Sequence, residues 1–103
     1  MKTLIIMATI IIALNEAWAY SDTQIVNAIY RAEGGSKATW AYGIRSVNYT
    51  DVADARRICY NTVRNNRTRW NGEGDFIAFL GSRYCPVDKI NWTRNVNAIL
   101  ERS

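Results

Sequence analysis

Four segments of the chain carry apolar residues three and four positions apart, which is the spacing of an amphipathic helix. The first segment begins at a cap, Ser21 or Asp22, and its apolar face runs over residues 25–32. A glycine pair at 34–35 cannot easily continue a helix. The first helix is therefore predicted to end at Glu33.

The second helix is predicted to start at a cap, Thr50 or Asp51, and to end near Asn66. A polar connection over residues 67–74 follows, with two glycines as turn signals. Trp70 stands among polar neighbours in this connection. We therefore predict that its side chain is exposed to solvent.

Two further helices are predicted in the last third of the chain. The third begins at Asp75 and has Gly81 as its stop, and Cys85-Pro86 opens the next loop. The last helix is predicted to start at Asn91 as its cap. Its apolar residues are spaced like a stripe that faces a core, and Trp92 is the first of them.

Helical spacing is absent between the first two helices. From Ser36 to Thr50, aromatic and aliphatic residues stand among glycine and serine, which is typical of a loop with short strands. The predicted fold class is mainly α, or α+β with little strand. It is a small domain of about four helices with a short irregular or β-hairpin insertion.

The first 19 residues have the three parts of a secretory signal. Lys2 precedes an apolar run at 3–14, and the small-residue pattern Ala17-Trp18-Ala19 is typical of a cleavage site. The run is short for a bilayer span, which needs about 20 residues. We predict a signal peptide at 1–19 and a mature domain at 20–103, exported to the periplasm or secreted. The alternative is a short uncleaved membrane anchor.

The chain is predicted to be exported and contains an even number of cysteines, Cys59 and Cys85. Disulfides form and persist in that setting, so we predict one bridge between them. A loop of this size would stabilise the fold by roughly 3 to 4 kcal/mol. The alternative is a pair of buried thiols, because Cys59 lies on an apolar helical stripe.

Composition limits the chemistry that the chain can perform. The absence of His excludes Ser-His-Asp triads, Cys-His pairs and imidazole zinc sites. No calcium-loop spacing and no cofactor motif are present in the sequence, so we expect neither a metal nor a cofactor. The chain has 13 Lys and Arg against 9 Asp and Glu, a net charge of +4. An exported basic protein suits an anionic extracellular polymer or membrane surface rather than nucleic acid.

Glu33 continues the apolar face of the first helix. It lies three and four positions after Tyr30 and Ile29, so its carboxyl group is predicted to lie against apolar surface. Burial and the negative end of the helix dipole both raise the pKa of a carboxyl group toward the range of a general acid at neutral pH. The alternative is a Glu in a fraying last turn whose side chain points to solvent or pairs with Arg31 or Lys37.

Three short motifs follow one another in the chain: Glu33-Gly34-Gly35, Gly43-Ile44-Arg45-Ser46 and Arg83-Tyr84-Cys85-Pro86. Their order and spacing resemble the lysozyme-like lytic transglycosylases, and most closely the small exported or phage-associated members. The first motif is similar to the helix end that carries the single catalytic Glu of that family. The second is similar to the segment across its cleft, although Ser46 stands where the family commonly has Gln. Cys85 stands where the family has Asn.

The resemblance implies an activity and a set of site residues. Glu33 would protonate the glycosidic oxygen between N-acetylmuramic acid and N-acetylglucosamine in peptidoglycan, and would then act as base on the muramyl 6-hydroxyl. The implied substrate-binding residues are Tyr42, Gly43, Ile44, Ser46 and Tyr84. The two tyrosines would line the cleft, with core packing as their alternative role. We expect a monomer that binds peptidoglycan glycan strands and has no stable membrane span after signal removal.

The other acids and the tryptophans refine this interpretation. Asp51 and Asp54 lie where helix-capping carboxylates are expected, which favours a single-acid mechanism over a carboxylate pair. Trp40 and Trp70 are candidates for stacking on sugars, whereas Trp92 is predicted to lie in the core.

Two rival functions stay open at the level of sequence. The first is a noncatalytic lysozyme-like module that holds glycan or a protein partner, and the replacement of the family's Gln and Asn is consistent with it. The second is a cationic secreted antimicrobial protein. It is disfavoured because the helices have core-facing stripes and no strongly basic amphipathic face.

Overall fold

The computed structural model describes residues 20–103, and the predicted signal peptide at 1–19 lies outside the described residues. Four α-helices and three short 3-10 turns make up this part of the chain, which contains no strand. The helices are α1 Asp22–Ala32, α2 Val52–Arg69, α3 Phe76–Tyr84 and α4 Lys89–Arg102. The mainly α prediction is confirmed. Within 20–103 no helix is long and apolar enough to cross a lipid bilayer.

The segment between α1 and α2 is irregular and does not form the β-hairpin that was one of the two predicted alternatives. It contains 3-10 turns at Gly35–Lys37 and Ala41–Gly43. Ala41 N–H donates to the Tyr49 hydroxyl at 3.0 Å, which ties the turn to the end of the segment through a side chain. The backbone is thus held by turns and side chains instead of a strand ladder.

The starts of the first two helices follow local hydrogen-bond chemistry. Ser21 caps α1: its Oγ accepts from Gln24 N–H at 3.1 Å, and the Gln24 side chain accepts from Ser21 N–H at 2.8 Å. Asp51 caps α2 by accepting from Asp54 N–H at 2.8 Å. Each cap is one of the two residues predicted for that helix. α2 runs on past the predicted end near Asn66 to Arg69.

The predicted stop of α3 at Gly81 is wrong, because the helix continues to Tyr84. Gly81 is buried where α3 meets α4. A Cβ atom there would lie 2.6 Å from Thr93 Oγ1 and 2.9 Å from Trp92 Cε3. The glycine therefore permits close packing of two helices and does not end one.

The predicted cap of the last helix is also wrong. α4 begins at Lys89, so Asn91 lies inside its first turn. Asn91 Nδ2 donates to Asp88 Oδ1 at 3.0 Å, which links the first turn to the preceding 3-10 turn. The extra turn of helix leaves Ile90 largely exposed.

One core joins the four helices. α1 packs on α2 and α4, and α3 packs on α4 and α2. The core side chains include Ile25, Val26 and Ile29 of α1, Ala55, Cys59 and Val63 of α2, Phe76 and Leu80 of α3, and Trp92, Val96 and Leu100 of α4. The predicted core position of Trp92 is confirmed.

Trp70 is buried, so the prediction that it is exposed is wrong. Its Nε1 donates to the Glu73 carbonyl at 2.9 Å, and its ring lies 5.4 Å from that of Phe76. Its polar neighbours in sequence, Arg69 and Asn71, are exposed to solvent, while the indole covers the N-terminal end of α3. Trp70 is therefore unavailable for stacking on a sugar, whereas Trp40 is 48% exposed.

The predicted disulfide is not formed, and both cysteines are free. Cys59 lies fully inside the core on α2, with its Sγ 3.7 Å from the Tyr84 hydroxyl oxygen. Burial raises the pKa of the Cys59 thiol to about 11, so it stays protonated at neutral pH. Cys85 is the half-buried C-cap of α3. The alternative of a pair of buried thiols holds for Cys59, which acts as a small apolar core residue, whereas the Cys85 thiol is free but only half-buried.

Gly81→Ala is expected to destabilise the fold, although the same change at an open helix position stabilises it. The added methyl group would meet Thr93 and Trp92, and overpacking of this kind costs about 1 to 3 kcal/mol. Urea denaturation measures the free energy of unfolding. Ser82→Ala, at the exposed neighbouring position, is the control and should change it by about 0.5 kcal/mol or less. A stabilised Gly81→Ala variant would contradict the close packing of α3 on α4.

Candidate functional site

Glu33 lies at the C-terminal cap of α1, as predicted. Its N–H donates to the Ile29 carbonyl at 3.0 Å, which fixes its backbone at the helix end. The side chain is half-buried, and within residues 20–103 it forms no ion pair with Arg31 or Lys37. In this part of the chain, Glu33 is therefore neither a fully solvated side chain nor a member of an ion pair with Arg31 or Lys37.

Gly43 packs directly on the Glu33 carboxyl group. A Cβ atom at Gly43 would lie 2.6 Å from Glu33 Cδ and closer still to Oε2. Because glycine has no side chain, the backbone of the irregular segment can come close to the carboxyl group at the end of α1. Two of the residues implied by the sequence motifs, Glu33 and Gly43, are thus brought together across the irregular segment.

The environment of Glu33 favours its protonated form. Burial is the larger effect and raises the pKa of the Glu33 carboxyl above its usual value of 4.5, while the Trp92 indole lowers this pKa by a smaller amount. Trp92 Nε1 is buried without a hydrogen-bond partner of normal geometry in the described residues. Its N–H therefore weakens the effect of burial without cancelling it, and Glu33 is suited to donate a proton.

The turn that presents Gly43 contains the one non-glycine residue of positive φ within 20–103. Tyr42 has φ 58° and Gly43 has φ 69°. The left-handed conformation is unfavourable for a tyrosine and persists only where its surroundings fix it. Three groups do so: the Tyr30 ring at 5.0 Å, the Arg56 guanidinium at 3.2 Å from the Tyr42 hydroxyl, and the Tyr84 hydroxyl, which donates to the Tyr42 carbonyl.

Tyr84 connects the turn to the core. Its ring stacks on Trp92 with centroids 5.3 Å apart, and its hydroxyl reaches the Tyr42 carbonyl and the Cys59 sulfur. Burial raises the pKa of Tyr84 well above its usual value, so the phenol remains a hydrogen-bond donor at any physiological pH. Tyr84 therefore supports the site from behind.

A cavity of about 220 Å³ lies next to this turn. Four of the five predicted substrate-binding residues line it, namely Gly43, Ile44, Ser46 and Tyr84, and Arg45 and Arg83 are on its wall as well. The fifth, Tyr42, is buried in the core with 3% of its surface exposed, which agrees with its alternative role. Glu33 does not line the cavity and meets it through Gly43.

Larger cavities lie elsewhere on the surface, and size does not identify the site. One of about 410 Å³ is formed by α3 and α4, and one of about 460 Å³ by α1 and the end of α4. None of the predicted site residues lines either of them. The smaller cavity is the better candidate because it adjoins a half-buried acid and a strained turn.

The first two acids that follow Glu33 in the sequence are engaged in other contacts. Asp51 caps α2, and Asp54 accepts from Thr50 N–H at 3.1 Å and pairs with Arg57 at 2.7 Å. The hydrogen bond from Arg57 is the main reason that the pKa of Asp54 lies below its usual value. Among the described residues no cluster of His, Cys, Asp or Glu could hold a metal ion. Glu33 is therefore the one acid of this site.

Sequence analysis missed Arg56 and the indole N–H of Trp92. Arg56 is on the polar side of the α2 pattern, yet its guanidinium bridges the Tyr42 hydroxyl and Asn27 Oδ1, the latter at 2.9 Å. Trp92 was predicted as a core residue, and the same side chain also modulates the pKa of Glu33. No signal in one sequence distinguishes these side chains from an ordinary surface Arg and an ordinary core Trp.

Glu33→Gln is expected to be at least as stable as the wild type at neutral pH. Because the folded-state pKa of Glu33 is raised, the unfolded chain loses this proton first as pH rises, and wild-type stability then falls until the folded carboxyl has also ionised. The Gln variant does not undergo this loss of stability. The pH-dependent difference in free energy of unfolding between the two proteins should therefore vanish below the usual carboxyl pKa of 4.5. Urea denaturation between pH 3 and 8 measures it. Glu101→Gln, at an exposed position, is the control. If the wild type became more stable relative to Glu33→Gln as pH rises, the raised pKa of the Glu33 carboxyl group would be contradicted.

Gly43→Ala is expected to unfold more easily and to move the Glu33 carboxyl. The left-handed backbone alone costs an alanine about 1 to 2 kcal/mol. Gly72→Ala is a matched control, because Gly72 has φ 84° and open space around its Cβ position. Only Gly43→Ala should also shift the Glu33 pKa, which carboxyl NMR titration can follow. Equal effects of both variants on that pKa would show that Gly43 does not touch the carboxyl.

Comparisons with known proteins identify no relative of this chain. No protein-family model matches it, and no curated protein and no solved structure matches it significantly. Function must therefore be argued from the chemistry of the site itself.

Proposed function

We propose that this protein cleaves peptidoglycan glycan strands as a lytic transglycosylase with a lysozyme-like fold, and that Glu33 is its general acid and base. The observation that carries the proposal is the placement of Glu33. A half-buried carboxyl group ends α1, packs on the backbone of Gly43 and adjoins a cavity lined by the residues that the sequence motifs imply.

The first chemical step uses Glu33 as an acid. Its proton passes to the glycosidic oxygen between N-acetylmuramic acid and N-acetylglucosamine as the bond from that oxygen to the muramyl C1 breaks. Burial raises the pKa of Glu33, which favours the protonated form that this step requires. Gly43, with no side chain, leaves the carboxyl group room beside the substrate.

The second step uses the same carboxyl group as a base. The Glu33 carboxylate takes the proton of the muramyl 6-hydroxyl as that oxygen bonds to C1, which gives a 1,6-anhydro end and returns Glu33 to its protonated form. Glycoside hydrolysis with a carboxylate pair would need a second free acid about 5 to 10 Å away. Asp51 and Asp54 are occupied as a helix cap and an ion pair, which supports the single-acid mechanism.

The remaining site residues hold the sugar and the turn. Ser46 offers a hydroxyl and Ile44 an apolar surface in the cavity, and the half-buried Tyr84 contributes a further part of its lining. Arg56 keeps the Tyr42 hydroxyl in place behind them. We further propose that residues 20–103 act outside the cell as a monomer after removal of a signal peptide at 1–19.

A noncatalytic glycan-binding module is the second candidate. Ser46 and Cys85 stand where the resembled family has Gln and Asn, and the backbone N–H of Cys85 forms the C-cap of α3. A short serine side chain reaches less far toward a sugar than a glutamine. Without these amide groups the substrate would be positioned less well, even though Glu33 would still be able to donate a proton.

Mass spectrometry of soluble products from purified peptidoglycan sacculi tests the proposal. The wild type should release anhydro-muropeptides, and Glu33→Gln should lower the rate by about 100-fold or more, the usual effect of removing a general acid. Glu101→Gln, which removes an exposed carboxyl group, should retain the wild-type rate. A folded wild type that binds sacculi without releasing product would reject catalysis and favour the binding module. Reducing-end products without an anhydro ring would indicate a hydrolase.

A further inference from the structure

Two arginines share the cavity beside Glu33 without an acidic neighbour. Arg45 and Arg83 come from segments far apart in the sequence, the irregular insertion and the last turn of α3. Both line the cavity of about 220 Å³, and no Asp or Glu is part of its wall. Two exposed positive charges on the wall of one cavity, with no acidic residue beside them, favour the binding of an anion.

Neither arginine is used by the fold. Within residues 20–103, Arg57 and Arg67 pair with aspartates, whereas no acidic residue pairs with Arg45 or Arg83. The guanidinium group of Arg45 lies 5.9 Å from the centroid of the exposed Trp40 ring, a contact that leaves its N–H donors free. Arg83 is exposed on α3. The donors of both side chains are therefore available to a ligand.

We propose that the cavity binds a carboxylate group carried by the glycan substrate, with Arg45 and Arg83 as its ligands. The planar guanidinium group presents paired N–H donors that match the two oxygens of a carboxylate. Ser46 adds a hydroxyl on the same wall. This inference rests on the proposed function, because it takes peptidoglycan as the substrate.

Peptidoglycan offers this carboxylate in two places. One is the peptide stem, and the other is the lactyl group of a muramyl residue from which the stem has been removed. Both place an anion on the muramyl side of the glycosidic bond that Glu33 would protonate. Because Gly43 contacts both the Glu33 carboxyl and the cavity, an anion held by the arginines would fix the muramyl residue next to the acid.

Equilibrium binding tests the carboxylate site separately from cleavage. The full-length protein carries Glu33→Gln so that the ligand stays intact, and three soluble glycans are titrated: one with free stem carboxylates, the same glycan with those groups amidated, and a stem-free glycan with lactyl carboxylates. The Glu33→Gln protein should bind at least one of the two carboxylate-bearing glycans about 10-fold or more tightly than the amidated glycan. The form that is preferred identifies the source of the carboxylate.

Arginine substitutions then assign the ligands. Arg45→Gln and Arg83→Gln should each reduce this preference by several fold, and Arg45→Lys should restore part of it because the charge is kept. Arg94→Gln is the matched control, since Arg94 is an exposed arginine of a different cavity and should leave the preference unchanged. Thermal unfolding of each variant shows whether it is folded.

The outcomes separate this inference from the proposed function. Cleavage by the wild type together with equal binding of all three glycans would overturn the carboxylate site alone. A carboxylate preference that depends on the two arginines, in a wild type that does not cleave, would support the site and reject catalysis. Absence of binding to every glycan, or a preference that survives both substitutions, would overturn the site.

Discussion

The contact between the Gly43 backbone and the Glu33 carboxyl group is the constraint on which the rest of the site depends. Any side chain at position 43 would occupy the space of the carboxyl group. The backbone must also take a left-handed conformation there, at φ 69°. The end of α1 and the irregular segment therefore have to be positioned together, and each fixes the other.

Side chains from three helices maintain this contact. Tyr30 of α1 packs on the Tyr42 ring, Arg56 of α2 binds the Tyr42 hydroxyl, and Tyr84 of α3 donates to the Tyr42 carbonyl. The strain of a left-handed tyrosine costs on the order of 1 to 3 kcal/mol, and these contacts offset it. Behind them, Trp92 of α4 supports the Tyr84 ring. The site thus draws on every helix of the small domain.

Sequence patterns predicted the parts of this fold that depend on local chemistry. Apolar spacing and caps located α1 and the start of α2, and they placed Glu33 at a helix end with its side chain toward the core. They failed where tertiary contacts decide. The local sequence predicts that Gly81 ends α3, but the glycine instead allows α4 to approach α3. Trp70 reads locally as exposed, but it covers Phe76. The cavity could be predicted only in part, because Arg83 joins the motif around Gly43 through folding alone.

The acidity of Glu33 and the positive charge of the protein have separate origins. A nearby cation would lower the pKa of a carboxyl group and make it a poorer proton donor at neutral pH. Burial and the Trp92 indole are the effects that act on Glu33, and no arginine contributes to its pKa shift. Arg45 and Arg83 extend into solvent, where water and salt screen their charges. The positive charge of the surface and the raised pKa of the half-buried Glu33 are therefore independent features of the protein.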